Sequence, residues 1–444
     1  MNELVSNDYL ECLLKSLSIQ SEGISSQGAP ANDQLSWLKQ LRKQAIDRAG
    51  QLRLPTTKDE AWRFTDLSPL AKLPFKPAKA LHTLALSDIQ SFFIEETDNR
   101  LVFVDGFFAP EFSSISDKEQ LIIDNLPSLA ESHASLAASH LAQHAQYHEN
   151  IFAALNTAFV HDGAVIIVPK NVVAAAPVHL LFIATQKETT NYPRCLIIGE
   201  ANSQVTLIED YVSLQNDAYV TNSVTECYLA ANARAQHIRI QRENNDAYHL
   251  ANCAVSLEHA SHYHAVNVSF GAQISRYNLD VGFKAEAGEC AIDGLTIITD
   301  EQLADTHSCI DHIKPNCTSR QQHKCIADGA AHAVFNGNII VRPGAQRTDS
   351  SQSSRNLLLS GTAQIDTKPQ LEIFADDVKC AHGATVGQLD NEEIFYLKSR
   401  GLSESAARNL LTYAFGAEIL GRIPLASLRH TLEQTVLNQT QSSR

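Results

Sequence analysis

What most constrains this chain is a series of short strand-like runs between about 160 and 375, many of them preceded by a corner of small residues. The runs include Val165-Ile166-Ile167-Val168, Cys195-Leu196-Ile197-Ile198, Val205-Thr206-Leu207-Ile208, His237-Ile238-Arg239-Ile240, Ala265-Val266-Asn267-Val268-Ser269-Phe270 and Leu295-Thr296-Ile297-Ile298. Alternation replaces helical periodicity throughout this stretch. The corners are Ala201-Asn202-Ser203, Asn232-Ala233-Arg234-Ala235, His259-Ala260-Ser261, Ala287-Gly288-Glu289, Gly329-Ala330-Ala331 and Gly361-Thr362-Ala363, spaced roughly 27 to 42 residues apart and mostly near 30. That period predicts coils of two or three strands joined by turns where only small side chains fit, and hence a mostly β chain built as a β-helix. A β-sandwich would need hairpin signals between neighbouring strands, and the Asn336-Gly337 pair stands alone.

Helical patterns flank the β region. From about 31 to 70, Leu35, Leu38, Leu41, Ala45 and Ile46 recur at helix spacing opposite Lys39, Arg42 and Lys43, until Pro55, Pro69, Pro74 and Pro77 break the pattern into turns. A second helical tract around Leu129 to Phe159 carries His133, His140, His144 and His148. Their offsets suit one helix face and invite a metal reading, but without a cysteine or matched carboxylate motif, solvated histidines are the simpler account. After Asp390 helices return. Asp390 with Glu393 reads as a capping box, Ile394 and Leu397 as an apolar face, and Gly401 as a stop. The next helix opens at Leu402-Ser403 and carries a wide stripe of Ala406, Leu410, Leu411, Ala414 and Phe415; a third begins at Pro424 with Leu425, Leu428, Leu432 and Val436. The stripe is wider than capping a solenoid requires, so these helices are expected both to cap and to dock a partner. The chain then divides into 1–159, mainly helical; 160–387, the β-helix core; and 388–444, a helical docking domain.

With 50 acidic against 35 basic residues and a net charge of −15, the chain has no electrostatic reason to hold nucleic acid or an anionic membrane. No apolar run approaches a membrane span, and Met1-Asn2-Glu3-Leu4-Val5-Ser6-Asn7-Asp8 lacks the basic and apolar regions of a leader, so a cytoplasmic location is expected. Nine scattered cysteines, an odd number, read as thiols in a reducing compartment. Neither a Gly-x-x-x-x-Gly-Lys-Ser/Thr loop nor a Gly-x-Gly-x-x-Gly turn occurs, nor a Gly-x-Ser-x-Gly elbow or a Cys-x-x-Cys pair. The chain is therefore expected not to be an enzyme, and any ATP use to be a partner's.

One stretch carries chemistry: Ala375-Asp376-Asp377-Val378-Lys379-Cys380-Ala381-His382-Gly383-Ala384-Thr385-Val386-Gly387. In an extended segment Cys380 and His382 face the same way. Thiolate and imidazole suit iron or zinc, yet two ligands do not close a four-coordinate site, so this is half of one. On composition alone, a buried cysteine beside a satisfied histidine is the plainer reading. A denser patch, His307, Cys309, His312, Cys317, His323 and Cys325 with Asp305 and Asp311, resembles zinc spacing, but coil geometry would send these side chains to different faces. His262 and His264, near His259, would share a strand face; a solvated or interfacial surface is the safer reading.

The run Asp366-Thr367-Lys368-Pro369-Gln370-Leu371-Glu372-Ile373-Phe374 continuing through Gly387, followed by Phe395-Tyr396-Leu397-Lys398-Ser399-Arg400-Gly401, closely resembles the SufD branch of the SufB/SufD family of the SUF iron–sulfur assembly system. Glu60-Ala61-Trp62-Arg63-Phe64-Thr65 resembles the family's N-terminal motif, and Phe335-Asn336-Gly337 with Asn356-Leu357-Leu358-Leu359 its late coils. Ala381, where serine is more usual, is a mild departure. The resemblance implies a right-handed parallel β-helix flanked by helical regions and a non-catalytic scaffold in the SufBCD complex. It implies pairing with SufB through the β-helix and docking of the SufC ATPase on the helical end, for which Tyr396, Leu397, Leu410, Leu411, Ala414 and Phe415 are the candidates. A transient iron–sulfur cluster would be shared with SufB at the interface, with His382 implicated as a ligand and Cys380 beside it. A flavin is linked to the assembled complex, but nothing in this chain identifies a site for it. Two rivals remain: a β-helix lyase or esterase, and a homodimer in which Cys380 and His382 of each copy supply four ligands.

Overall fold

The computed structural model describes residues 7–26, 36–80, 83–116 and 120–442. Leu35 and the first six residues, on which part of the reading above rests, lie outside them. The centre is a solenoid of about eight coils made of two sheets, and successive strands alternate between them. A first sheet takes Arg194–Gly199, Val220–Leu229, Tyr248–Leu257, Ile274–Phe283, Leu303–His312, His332–Val341 and Gln364–Ile373. A second sheet takes Gln204–Ser213, Arg234–Arg242, His262–Ser269, Glu289–Ile298, Thr318–Ala327, Asp349–Leu358 and Lys379–Gly387. Each strand pairs in parallel with the equivalent strand one coil away, Val224 opposite Asn252 and Glu289 opposite Thr318.

The corners explain the repeat. Asn202, Asn232, Ala260 and Ala287 all stand in the left-handed region, with φ of 60°, 58°, 50° and 62°. Asparagine tolerates this conformation. Its side chains also stack here: Asn232 donates to Asn202 at 3.0 Å and Asn202 to Asn171 at 2.8 Å. At Gly329, φ is +62° and an added Cβ would meet the Asp300 backbone nitrogen at 2.9 Å, so both conformation and space select glycine.

Alternate side chains point inward and form a continuous apolar column that includes Leu101, Ile166, Leu180, Ile197, Leu207, Val255, Leu279, Ile310 and Ile339. Both outer faces are partly covered. Tyr9, Leu13, Leu17, Phe152 and Leu155 of the N-terminal helices share a core with Val220, Val224, Leu250 and Ile274 of the first sheet. On the second sheet, Ile208, Ile238, Ile240, Val266, Val268, Leu295, Ile297 and Ile326 are buried under Ile419, Leu420, Ile423, Leu425, Leu428, Leu432 and Val436 of the C-terminal segment. Of the C-terminal helices Asn391–Ser399, Glu404–Leu420 and Ala426–Ser442, the last two lie along the flank of the solenoid and the first packs on the second, while the last strand is left bare among the described residues.

Two parts of the N-terminal reading change. The region before 160 supplies strands to both sheets: Asn99–Val104 runs parallel to Val178–Ala184, and Ile122–Asn125 antiparallel to Ala164–Val168. The tract 129–159 is not one helix but Leu126–Ser132, Ala134–His140 and Ile151–Phe159. The four histidines therefore do not line one helix face, although His140 and His144 still meet, with ring nitrogens 3.2 Å apart. His133 sits between two helices, while His140 and His144 lie against Tyr228, with ring centroids 4.8 and 5.7 Å away. The turn carrying His144 is fixed because the Glu226 carboxylate accepts from the amides of Ala142, His144 and Ala145 at 2.7, 2.8 and 3.0 Å and also pairs with the buried Arg194.

Candidate functional site

The last coil differs from all before it. Gln364–Ile373 and Lys379–Gly387 each end their sheet, so each leaves one row of backbone hydrogen-bonding groups without a neighbouring strand among the described residues. Ile373, Phe374 and Val386 are exposed there, at 40 %, 58 % and 46 % of their surface.

Cys380 stands opposite Ser350 and His382 opposite Gln352 in the pairing of the final strand. Cys380 is half-buried and packs with Val378 and Leu371 on the rim of the apolar column, which places it on the inward face. His382, two residues on, shares that face but is exposed. Polar side chains lie beneath both. The Ser319 and Ser350 hydroxyls are 2.6 Å apart, and Gln352 donates to Gln321 at 2.7 Å. Burial and the Asp349 carboxylate push the Cys380 thiol above its usual range, against a backbone hydrogen bond that lowers it, so the resting group is a thiol rather than a thiolate.

The helical candidates fall on two faces. Tyr396 and Leu410 are exposed at 56 % and 44 %, Ala414 is exposed, and Leu397 is half-buried. Leu411 and Phe415 are partly covered. Phe415 packs against the solenoid: Lys324 Nζ lies 4.4 Å from its ring centroid and donates to its carbonyl at 2.8 Å, while also reaching Glu418 at 2.5 Å. Phe395, not singled out from the sequence, is the most exposed large apolar residue of this end, at 73 %.

The denser His/Cys patch separates as coil geometry implies. Cys317, His312, His323 and Cys325 are buried, whereas His307 and Cys309 face the outside of the first sheet. His312 stacks on Phe283 at 4.6 Å and His323 on Phe335 at 4.5 Å; burial pulls them down to about 4 and about 3, so both are neutral packing rings. No three His, Cys, Asp or Glu side chains are grouped to hold a metal among the described residues. His262 and His264 do share the outer face of one strand, but each is taken by a carboxylate, Glu289 at 3.0 Å and Asp293 at 2.9 Å.

Sequence reasoning missed a charged cluster sealed inside the middle coils. Glu209 lies 3.2 Å from His237 and accepts from Thr225 at 2.8 Å and Tyr211 at 2.9 Å. Burial alone would neutralise both partners; their mutual attraction wins, holding Glu209 down at about 2 and His237 up at about 10. Alongside, Arg239 donates to neutral His249, whose other ring nitrogen is 2.6 Å from Glu243. Glu209 and His237 come from strands one coil apart, and His249 reaches Arg239 and Glu243 from the strand that follows them, so only the coil register joins the cluster.

Against known families, residues 182–415 match the model described as the SUF system FeS cluster assembly, SufBD core domain, which covers more than half of the chain. The chain belongs to the SufBD family. Residues 26–180 match the family's N-terminal region. Among curated relatives, the chain is 40 % identical to an iron–sulfur cluster assembly SufBD family protein of Synechocystis, over 94 % of this chain and 95 % of that one. It is 33 % identical to the iron–sulfur cluster assembly protein SufD of Escherichia coli, over 82 % and 84 %, and 26 % identical to SufD of Bacillus subtilis, over 95 % and 98 %. A role in iron–sulfur cluster assembly within the SUF system follows. No helix among the described residues is long and apolar enough to cross a membrane.

Proposed function

We propose that this chain is the SufD-type scaffold subunit of a SufBCD complex and catalyses nothing by itself. The observation that carries the reading is the open last coil, which places Cys380 and His382 beside two bare strand edges. A second β-helix, that of SufB, would continue both sheets across this end, satisfying the edge hydrogen bonds and covering Ile373, Phe374 and Val386. The nascent cluster is cargo at that junction. His382 supplies an exposed imidazole donor, and SufB completes the ligand set. Cys380 lies on the same strand face two residues away and would assist His382 there.

SufC would dock on the exposed side of the helical end through Tyr396, Leu397, Leu410, Leu411 and Ala414, and supply the ATP hydrolysis. Phe415 belongs to the same helix but lies against Lys324, so it would orient the docking helix from behind. The open coil also fits a second copy of this chain when SufB is missing. A cytoplasmic location fits the free thiols. For the flavin linked to such complexes, no residue of this chain is assigned.

Co-expression with SufB and SufC, purification of the complex and anaerobic reconstitution followed by absorption spectroscopy test the reading. Recovery of a ternary complex whose cluster signal depends on His382 supports it. A chain that binds neither partner, or that reconstitutes a stable cluster alone as a homodimer, overturns it.

A further inference from the structure

Toward its open end the inner face of the second sheet changes character. Ala265 and Ile292 are followed in the same register by Gln321, Gln352 and His382. Ile292 shows that an aliphatic side chain fills this position, so two buried amides there call for a reason beyond packing. Gln321 and Gln352 are only 5 % and 2 % exposed.

The two amides are locked in one direction. Gln352 Nε2 donates to Gln321 Oε1 at 2.7 Å, and Gln321 Nε2 donates to the Ser308 hydroxyl of the facing sheet at 2.8 Å. Room for this arrangement is left opposite: a Cβ added to Gly337, the last residue of the Phe335-Asn336-Gly337 motif, would collide with the Gln352 amide. Both amide donors therefore point into the solenoid. In a row of stacked amides each N–H bonds one way along the column and each C=O the other, which turns the Gln352 oxygen toward the open end. That oxygen is buried and accepts no hydrogen bond among the described residues. The next side chain in its column is His382, which has no hydrogen-bond or ion-pair partner among them either.

A histidine that binds a metal through one ring nitrogen almost always donates from the other to a carbonyl or carboxylate, which fixes its tautomer and ring plane. The geometry points to Gln352 as the positioning residue for His382: its side-chain oxygen takes the Nδ1 proton and leaves the Nε2 lone pair facing the open end for iron. This rests on the reading of His382 as a cluster donor and adds what aims it. Gly337 and His382, which belong to two separate sequence motifs, are then joined by a residue that neither motif contains.

The tautomer is read directly by nitrogen NMR of the full-length chain carrying isotope-labelled histidine, at a pH of about 8.5, where an ordinary imidazole is neutral. The His382 signals are identified by their loss in His382→Ala. Wild-type His382 is expected to hold its proton on Nδ1. Gln352→Met, which keeps the length of the side chain and removes the acceptor, should move the proton to Nε2 or mix the two forms. Gln352→Leu should agree with it, and Gln352→Glu, which restores an acceptor, should return the Nδ1 form. In the complete complex the two acceptor-free variants should lower cluster formation about tenfold, and Gln352→Glu by much less. The inference fails if the wild-type ring carries its proton on Nε2, or if the tautomer is the same in wild type, Gln352→Met and Gln352→Leu. It also fails if Gln352→Met assembles clusters at the wild-type rate. Because the tautomer is read without SufB or iron, its failure is separate from that of the scaffold reading, whose His382 donor falls instead if His382→Ala assembles clusters normally.

Discussion

His237 and His382 occupy one inward column of the second sheet, in the register His237, Ala265, Ile292, Gln321, Gln352, His382. The slot is the same and the surroundings are opposite. In the middle coils the lumen is sealed, the outer face lies under the C-terminal helices, and His237 is held charged by Glu209. In the last coil the lumen opens, no helix among the described residues covers the strand, and His382 faces solvent. Burial turns one histidine into a structural cross-link, and exposure leaves the other free to bind a ligand that arrives from outside.

Removing the covering should have the largest effect. Truncation after Gly387 strips seven buried aliphatic side chains, Ile419 to Val436, from the second sheet, and fully burying one such residue contributes about 1.5–3 kcal/mol. The truncated chain should lose cooperative unfolding by circular dichroism or be recovered only as aggregate. A native-like melt would mean that the helices only dock a partner and that the contrast in covering is incidental.

Next comes the sealed pair. Glu209→Ala leaves a buried imidazolium without its counter-charge, and breaking such a pair costs about 3–5 kcal/mol in denaturant titration. The pair also sets a pH dependence. The stabilisation from Glu209, whose folded value is about 2, is present above its ordinary range near 4.5 and lost as pH falls through about 2; that from His237, folded value about 10, is present below 6.5 and lost as pH rises through about 10. Stability attributable to the pair should therefore be greatest between about pH 4.5 and 6.5 and lower at pH 9, and Glu209→Ala should flatten that slope. An unchanged slope would show that the pair is not charged.

The smallest effect on the fold belongs to the exposed histidine. His382→Ala should change stability by less than about 0.5 kcal/mol, as surface substitutions do, while cutting cluster formation in the complete complex about tenfold or more. Cys380→Ser should reduce cluster formation less. Wild-type assembly rates in His382→Ala would return that residue to a purely structural role.

Much of this was legible in sequence, for reasons that can be named. Asn202, Asn232, Ala260, Ala287 and Gly329 marked the coil corners because a left-handed bend tolerates few side chains, and each does stand there with positive φ. Cys380 and His382 were placed on one face by strand alternation alone. The lumen charges were not legible: Glu209, His237, Arg239 and Glu243 are ordinary polar residues until the stacking of coils about thirty residues apart brings them together. In the tract from 129 to 159, the Glu226 carboxylate gathers the backbone amides of a turn that helical periodicity does not foresee.

Each coil rests on the one before it, and this has a consequence for a chain emerging from the ribosome. The early coils can stack as soon as they are made, yet the patch containing Ile238, Ile240 and Val268 stays wet until residues beyond 419 have been synthesised. The strand carrying Cys380 and His382 is the last to find a neighbour. An interrupted translation product therefore displays an uncovered apolar flank and an unpaired strand edge, the features that chaperones and proteases act on.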